Sequence, residues 1–194
     1  MASVKSVARL FILYAGEIMN KLVIADPGKC IGCRTCEVAC VLGHSAKDAL
    51  SKLAPAYFIP RLKLIKTSKV STPVQCRQCE DAPCAKVCPT GALIHSHDSI
   101  QVIQTRCIGC KSCVMACPYG AMEIVARETT IQTNRRLPDG NLAVEAFKCD
   151  LCIHLPKGPV CIEVCPTKAI YTIDAKVLTD NLRKKREQAA VAQM

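Results

Sequence analysis

Cys107-Ile108-Gly109-Cys110-Lys111-Ser112-Cys113-Val114-Met115-Ala116-Cys117-Pro118 is the stretch that decides how this 194-residue chain is built. Its cysteines follow C-x2-C-x2-C-x3-C and end on proline, the ligand spacing of a 4Fe–4S cluster. Two-residue gaps set three thiolates along one tight loop, where they can grip three irons of a single cube. The fourth cysteine lies a helical turn further on and points away, so it serves the other cluster of a pair. Proline then ends the short helix and turns the chain aside.

The pattern recurs on both sides. Cys30, Cys33, Cys36 and Cys40 have the same spacing, although Val41 stands where the proline would be. In the group Cys76, Cys79, Cys84 and Cys88 one gap is widened by Glu80-Asp81-Ala82-Pro83. In the group Cys149, Cys152, Cys161 and Cys165 it is widened by Ile153 to Val160. Pro89 and Pro166 restore the ending. The chain has 16 cysteines and these four groups use them all, which predicts four 4Fe–4S clusters.

Two other uses of cysteine compete. Sixteen thiolates could hold four zinc ions, but zinc sites normally pair two short knuckles and do not need the triple run with C-P after it. A disulfide framework needs an oxidising compartment. Lys5 and Arg9 before Leu10 to Ala15 only faintly imitate an export signal, with Glu17 following and no small-residue cleavage site. That apolar stretch is far below the roughly 20 residues needed to span a bilayer. The expected location is the cytoplasm, with no membrane insertion.

The formal charge of +10 suggests a polyanionic partner. Ligating cysteines are thiolates, however, and against four cluster cores they remove about eight charges, leaving roughly +2. With no Trp, three Phe and four Tyr there is no stacking platform for single strands either, so nucleic acid is not an expected partner. The same scarcity of aromatics leaves a thin aliphatic core, with the clusters filling the interior and supplying folding free energy.

Short apolar segments bracket the cysteine groups: Leu22 to Ile24, Val70 to Val74, Ile100 to Ile103 and Leu142 to Val144 before them, Gly91 to Ile94, Gly120 to Val125 and Lys168 to Ile173 after groups two to four. Strand, cluster loop, short helix and strand make half of a ferredoxin-like unit. The fold class is therefore α+β: two pseudo-symmetric bacterial-ferredoxin-like (βαβ) modules around four 4Fe–4S clusters, with a C-terminal helix. Residues 76–140 form one module, and residues 19–75 with 141–175 form a second, discontinuous one. Crossing the fourth ligands gives the sets Cys30, Cys33, Cys36, Cys165; Cys149, Cys152, Cys161, Cys40; Cys76, Cys79, Cys84, Cys117; and Cys107, Cys110, Cys113, Cys88.

The motifs Cys30-Ile31-Gly32-Cys33-Arg34-Thr35-Cys36, Cys76-Arg77-Gln78-Cys79, Arg106-Cys107-Ile108-Gly109-Cys110-Lys111 and Lys148-Cys149-Asp150-Leu151-Cys152 resemble those of the small electron-transfer subunits that accompany formate dehydrogenases and hydrogenases. The resemblance covers residues 19–175 and extends to HydN-type ferredoxins. It implies an electron-transfer subunit of formate hydrogenlyase or of hydrogen-dependent carbon dioxide reductase, not a catalyst. Its partners would be a formate dehydrogenase catalytic subunit and a hydrogenase subunit. An accessory role in the assembly or maturation of such enzymes is the alternative.

Residues 1–18 precede a family-like start at Met19 and are expected to be an N-terminal extension. Residues 176–194 lack Gly and Pro and form the helical tail, with Val177, Leu178, Leu182, Ala189 and Ala190 as a weak stripe beside Arg183-Lys184-Lys185-Arg186. That tail is either a solvated end helix or a contact to further iron–sulfur subunits or to itself. Arg61 to Lys66 alternates as an edge strand would. His44, His95, His97 and His154 are scattered, and His95 and His97 read as a surface pair on one strand face. Arg34 and Lys111, inside cluster loops, could raise the local potential. No free thiol, phosphate loop or dinucleotide fingerprint points to a substrate.

Overall fold

The computed structural model describes residues 19–45, 53–55, 57–128 and 142–192. The expected N-terminal extension, residues 1–18, lies outside them, as do residues 129–141 between the third and fourth cysteine groups.

Among the described residues eight strands pair as four antiparallel two-stranded ribbons. β1 (Leu22–Ala25) pairs with β8 (Ile170–Ile173), β2 (Leu62–Lys66) with β3 (Ser71–Gln75), β4 (Leu93–Ser96) with β5 (Ser99–Val102), and β6 (Glu123–Glu128) with β7 (Leu142–Phe147). Each local ribbon has a local cause. His97 and Asp98 both carry φ of 53°, the left-handed pair that a two-residue turn needs between β4 and β5. His97 therefore sits in the turn and does not share a strand face with His95. At the β2–β3 end Thr67 Oγ1 accepts from Lys69 and Val70 amides, tightening that turn. Pro73 is tolerated in β3 because a two-stranded ribbon leaves one backbone edge unpaired.

Helices are as short as the prolines make them. α2 (Pro83–Lys86), α3 (Ser112–Ala116) and α4 (Val160–Glu163) each stop before a Cys-Pro pair. α1 (Thr35–Gly43) runs nine residues through Cys40, because Val41 permits another turn. A 3-10 turn at Gln104–Arg106 leads into the third cysteine loop. α5 (Ala175–Val191) is capped by Asp174, whose Oδ1 accepts from the Val177 amide at 2.9 Å. None of its residues is buried: Val177, in the first turn next to β8, is half-buried, and Leu178, Leu182, Ala189 and Ala190 of the predicted stripe are exposed. Among the described residues no helix is long and apolar enough to cross a membrane.

The interior divides in two. Val23, Leu62, Leu151 and Ile170 surround Cys36, Cys40, Cys76, Cys149 and Cys161. Ala82, Ala92, Leu93, Ile100, Met122 and Ala146 surround Cys84, Cys107 and Cys113. Fully buried aliphatics such as Val23 and Ile100 contribute about 1.5–3 kcal/mol each. They are few, and the cysteines themselves make up much of the core.

The strand pairing departs from the βαβ expectation. Every described pair is antiparallel, and β3 and β6, which flank the second and third cysteine groups, pair with β2 and β7 and not with each other. Apolar periodicity identifies a strand but not its partner, and the short β2–β3 loop makes the neighbour in sequence the cheaper choice. Ferredoxin-type helix and strand content is present; the ribbons join up differently.

Candidate metal centre

Each cysteine loop is built on left-handed residues. Gly32 (φ 70°) and Gly109 (φ 68°) precede Cys33 and Cys110, and Arg34 (φ 63°) and Lys111 (φ 66°) follow them. This run of positive φ curls the loop so that successive cysteine side chains converge. A second device serves the fourth cysteines. After Cys88, Cys117 and Cys165 the chain reads Pro-Thr-Gly-Ala, Pro-Tyr-Gly-Ala and Pro-Thr-Lys-Ala. Gly91 (59°), Gly120 (60°) and Lys168 (50°) are left-handed, which turns the next amide back onto the sulfur. Ala92, Ala121 and Ala169 N–H thus donate to Cys88, Cys117 and Cys165 Sγ at 3.3, 3.4 and 3.3 Å. Cys40, lacking the proline, receives the Arg61 N–H instead, at 3.3 Å from β2's entry.

The thiols are brought together in four places. Cys30, Cys33, Cys36 and Cys165 line one cavity with Leu64 and Pro73. Cys161 lies among Cys149, Cys40 and Cys152; burial pushes its thiol well up and these neighbours, with Cys36, push further. Cys149 is pushed up to about 12, chiefly by burial and partly by Cys40. Burial raises Cys79, with Cys76 and Cys117 adding to it, and raises Cys84 with the same two neighbours. Burial also raises Cys107, which sits beside Cys88 and Cys110, and lifts Cys113 to about 11 with Cys107, Cys110 and Cys84 contributing.

Clustered buried thiols that hold one another's pKa high need a compact positive core to become thiolates together. A soft all-sulfur donor set fits iron–sulfur or zinc, and no hard cation. Cys33 and Cys110, the two exposed cysteines, differ. Their thiols are lowered first by the neighbouring hydroxyls, Thr35 at 3.3 Å and Ser112 at 3.5 Å.

Sequence reasoning overlooked two constellations. Glu37, 3% exposed, accepts the Leu64 N–H at 2.7 Å and faces Arg34 Nη1 at 3.3 Å, tying the first cysteine loop to β2. His44 is not idle either. Its ring nitrogens face the Cys40 carbonyl (2.8 Å) and Asp150 Oδ1 (2.9 Å), and Asp150 also takes Arg61 Nη1 at 2.6 Å and the Cys152 N–H at 2.9 Å. Burial opposes charge on His44, but the bond to Asp150 and those to Cys152 and Cys40 outweigh it, raising its pKa to about 11. Asp150 is held well below the carboxylate range: burial works the other way, and His44 and Arg61 overcome it. His154 lies close enough to complete a metal-ligand trio. Arg61 already sits on the carboxylate and exposed His154 has its Nε2 on the Gly43 carbonyl, so His44, Asp150 and Arg61 form a half-buried ion-pair network with His154 at its edge. No local motif announces it, because its members lie 89 and 106 residues apart.

Comparison with known proteins resolves the choice of metal. Residues 68–175 and residues 29–92 each match a family described as a 4Fe-4S dicluster domain. Over 173 residues the chain is 49% identical to the electron transport protein HydN of Escherichia coli strain K12, covering 89% of this chain and 99% of that one. An iron-sulfur protein of Rhodospirillum rubrum is 38% identical over 180 residues, covering 86% and 89%. Formate hydrogenlyase subunit 2 of E. coli strain K12 is 36% identical over 188 residues, covering 87% and 89%. The two matches imply 4Fe–4S clusters, and the chain belongs to the 4Fe–4S dicluster family as an iron–sulfur electron transport protein related to HydN and to formate hydrogenlyase subunit 2.

Proposed function

We propose that the chain is a cytoplasmic four-cluster conductor that relays single electrons between a formate dehydrogenase catalytic subunit and a hydrogenase subunit. The crossed sets assigned from spacing hold the clusters, and the order of travel is first, fourth, second, third group. When bound, a 4Fe–4S cluster in each set supplies a one-electron couple.

The observation that carries this reading is where the exposed thiols lie. Of sixteen cysteines only Cys33 and Cys110 are exposed, one in the first set and one in the third. Between them the contacts run in a line. Cys36 of the first set bears on Cys161 of the fourth, Gln78 and Lys148 join Cys149 to the second set, and Cys84 of the second bears on Cys113 of the third. The two outer sets carry matched fittings: Gly32 and Gly109, Arg34 and Lys111, Thr35 and Ser112. That correspondence supports a pseudo-symmetric division into an inner unit, 76–140, and an outer one, 19–75 with 141–175. Each end also presents a large apolar side chain, Ile31 at 62% and Met115 at 86% exposure, suited to packing on a partner. Amide and hydroxyl donors on the sulfurs set the potentials. The choice of partners rests on the relative that is a formate hydrogenlyase subunit.

Cys110→Ser tests the reading. Iron should fall from about 16 to about 12 per chain, and formate-dependent hydrogen evolution should drop more than tenfold. Formate oxidation and hydrogen evolution assayed separately with artificial dyes should stay unchanged. Coupling that survives the loss of the third cluster refutes the conductor.

A further inference from the structure

Lys148 directly precedes Cys149, and at 2% exposure it is the largest fully buried side chain in the described structure. Its Nζ donates to the Cys149 carbonyl at 2.7 Å and to Gln78 Oε1 at 3.3 Å. Gln78, 0% exposed, is clamped in turn. Its Oε1 also accepts the Ile100 N–H at 2.9 Å, its Nε2 donates to the Cys149 carbonyl at 2.8 Å, and its own carbonyl accepts Asn20 Nδ2 at 2.8 Å. The Gln78 amide N–H reaches Cys76 Sγ at 3.4 Å. The clamp therefore spans the second and fourth thiol sets and holds an ammonium between them.

That ammonium has only neutral acceptors. No carboxylate among the described residues pairs with it, and a buried lysine left so is costly. Two thiols feel its charge, one on each side: burial raises Cys84 and Cys149, and Lys148 pulls both back. Four thiolates around a 4Fe–4S core carry about −2 when oxidised and −3 when reduced. Two such centres flanking one lysine supply the counter-charge that no described carboxylate gives.

We propose that Lys148 is the charge-tuning residue of the second and fourth clusters, its buried ammonium making both easier to reduce. This rests on the four-set reading above. In each transfer one electron leaves the donor centre and one enters the acceptor; no bond is made and no proton moves. Without the lysine, two adjacent anionic centres would oppose an electron crossing the middle of the chain. With it, the crossing is levelled at its most repulsive point.

The test is an anaerobic redox titration of the full chain loaded with iron and sulfide, reduced with dithionite or a low-potential dye and followed by electron paramagnetic resonance. Wild-type protein should show about 16 irons and four reduction steps; fewer clusters there would fail the four-set reading and not the role of Lys148. Lys148→Met should make two of the four reductions about tenfold less favourable, about 59 mV for a one-electron couple, and leave the other two unmoved. Lys148→Arg, which keeps the charge, should restore both. Four unmoved potentials, or a uniform shift of all four, overturn the proposal. If Lys148→Met fails to hold its second and fourth clusters, Lys148→Arg decides: retention of both there supports the need for charge, and loss in both variants assigns a packing role and overturns it.

Discussion

Gly109→Ala should damage the third cysteine loop by two separable effects. Gly109 has φ of 68°, so any side chain carries the left-handed cost of about 1–2 kcal/mol. A Cβ there would also lie 2.4 Å from Val144 Cγ1 and 3.1 Å from Val144 Cβ on β7. Relieving such overpacking costs about 1–3 kcal/mol more, giving about 2–5 kcal/mol in all. Gly120 is the control. It has φ of 60°, and a Cβ would meet nothing within 4 Å, so Gly120→Ala should lose only the conformational part. Unfolding releases the clusters irreversibly, so the readout is a rate: anaerobic bleaching of visible absorbance in a fixed urea concentration. The extra 1–3 kcal/mol should make Gly109→Ala bleach about tenfold faster than Gly120→Ala, since each 1.4 kcal/mol is tenfold. Adding Val144→Ala to Gly109→Ala should slow bleaching again. Equal rates for the two glycine variants, or no rescue by Val144→Ala, would refute the packing argument.

Lys168 occupies the left-handed position that glycine fills at 91 and 120, so Lys168→Gly should stabilise the fourth loop by about 0.5–1 kcal/mol. The same bleaching assay should run slower, and faster bleaching would contradict the strain. Glu37→Ala leaves the buried Leu64 N–H without its acceptor and should cost about 1–3 kcal/mol. Glu37→Gln, which keeps an acceptor oxygen, should recover most of that loss; a glutamine variant as weak as the alanine one would point to the Arg34 ion pair instead.

The sequence disclosed what is local. Two-residue gaps between cysteines and the proline after the fourth are written within a dozen positions, and they led directly to 4Fe–4S chemistry. Helix lengths were equally readable: the missing proline after Cys40 lets α1 run on to Gly43. What stayed hidden depends on distant company. His44 looked idle because Asp150 and Arg61 are far away in the chain, and nothing in the motif that begins at Lys148 tells a buried lysine from a wet one. His95 and His97 looked like one face because the positive φ at His97 belongs to a turn with no Gly to mark it. The strands were placed well but their partners were not, since β3 and β6 have apolar faces that suit several neighbours.

The ribbon of β1 with β8 ties residues 22–25 to residues 170–173 and sets Cys33 beside Cys165. Entropy alone does not forbid closing so long a loop, since each doubling of length costs only about 0.6 kcal/mol. Timing is another matter. On a ribosome Cys30, Cys33 and Cys36 emerge early and wait for nearly the whole chain before their neighbour from the far end exists, whereas residues 76–117 emerge together. Iron delivered during synthesis would find the middle of the protein ready first. On the crossed assignment proposed above, a chain cut short before residue 161 would leave the first and fourth sets incomplete while the second and third kept every cysteine assigned to them.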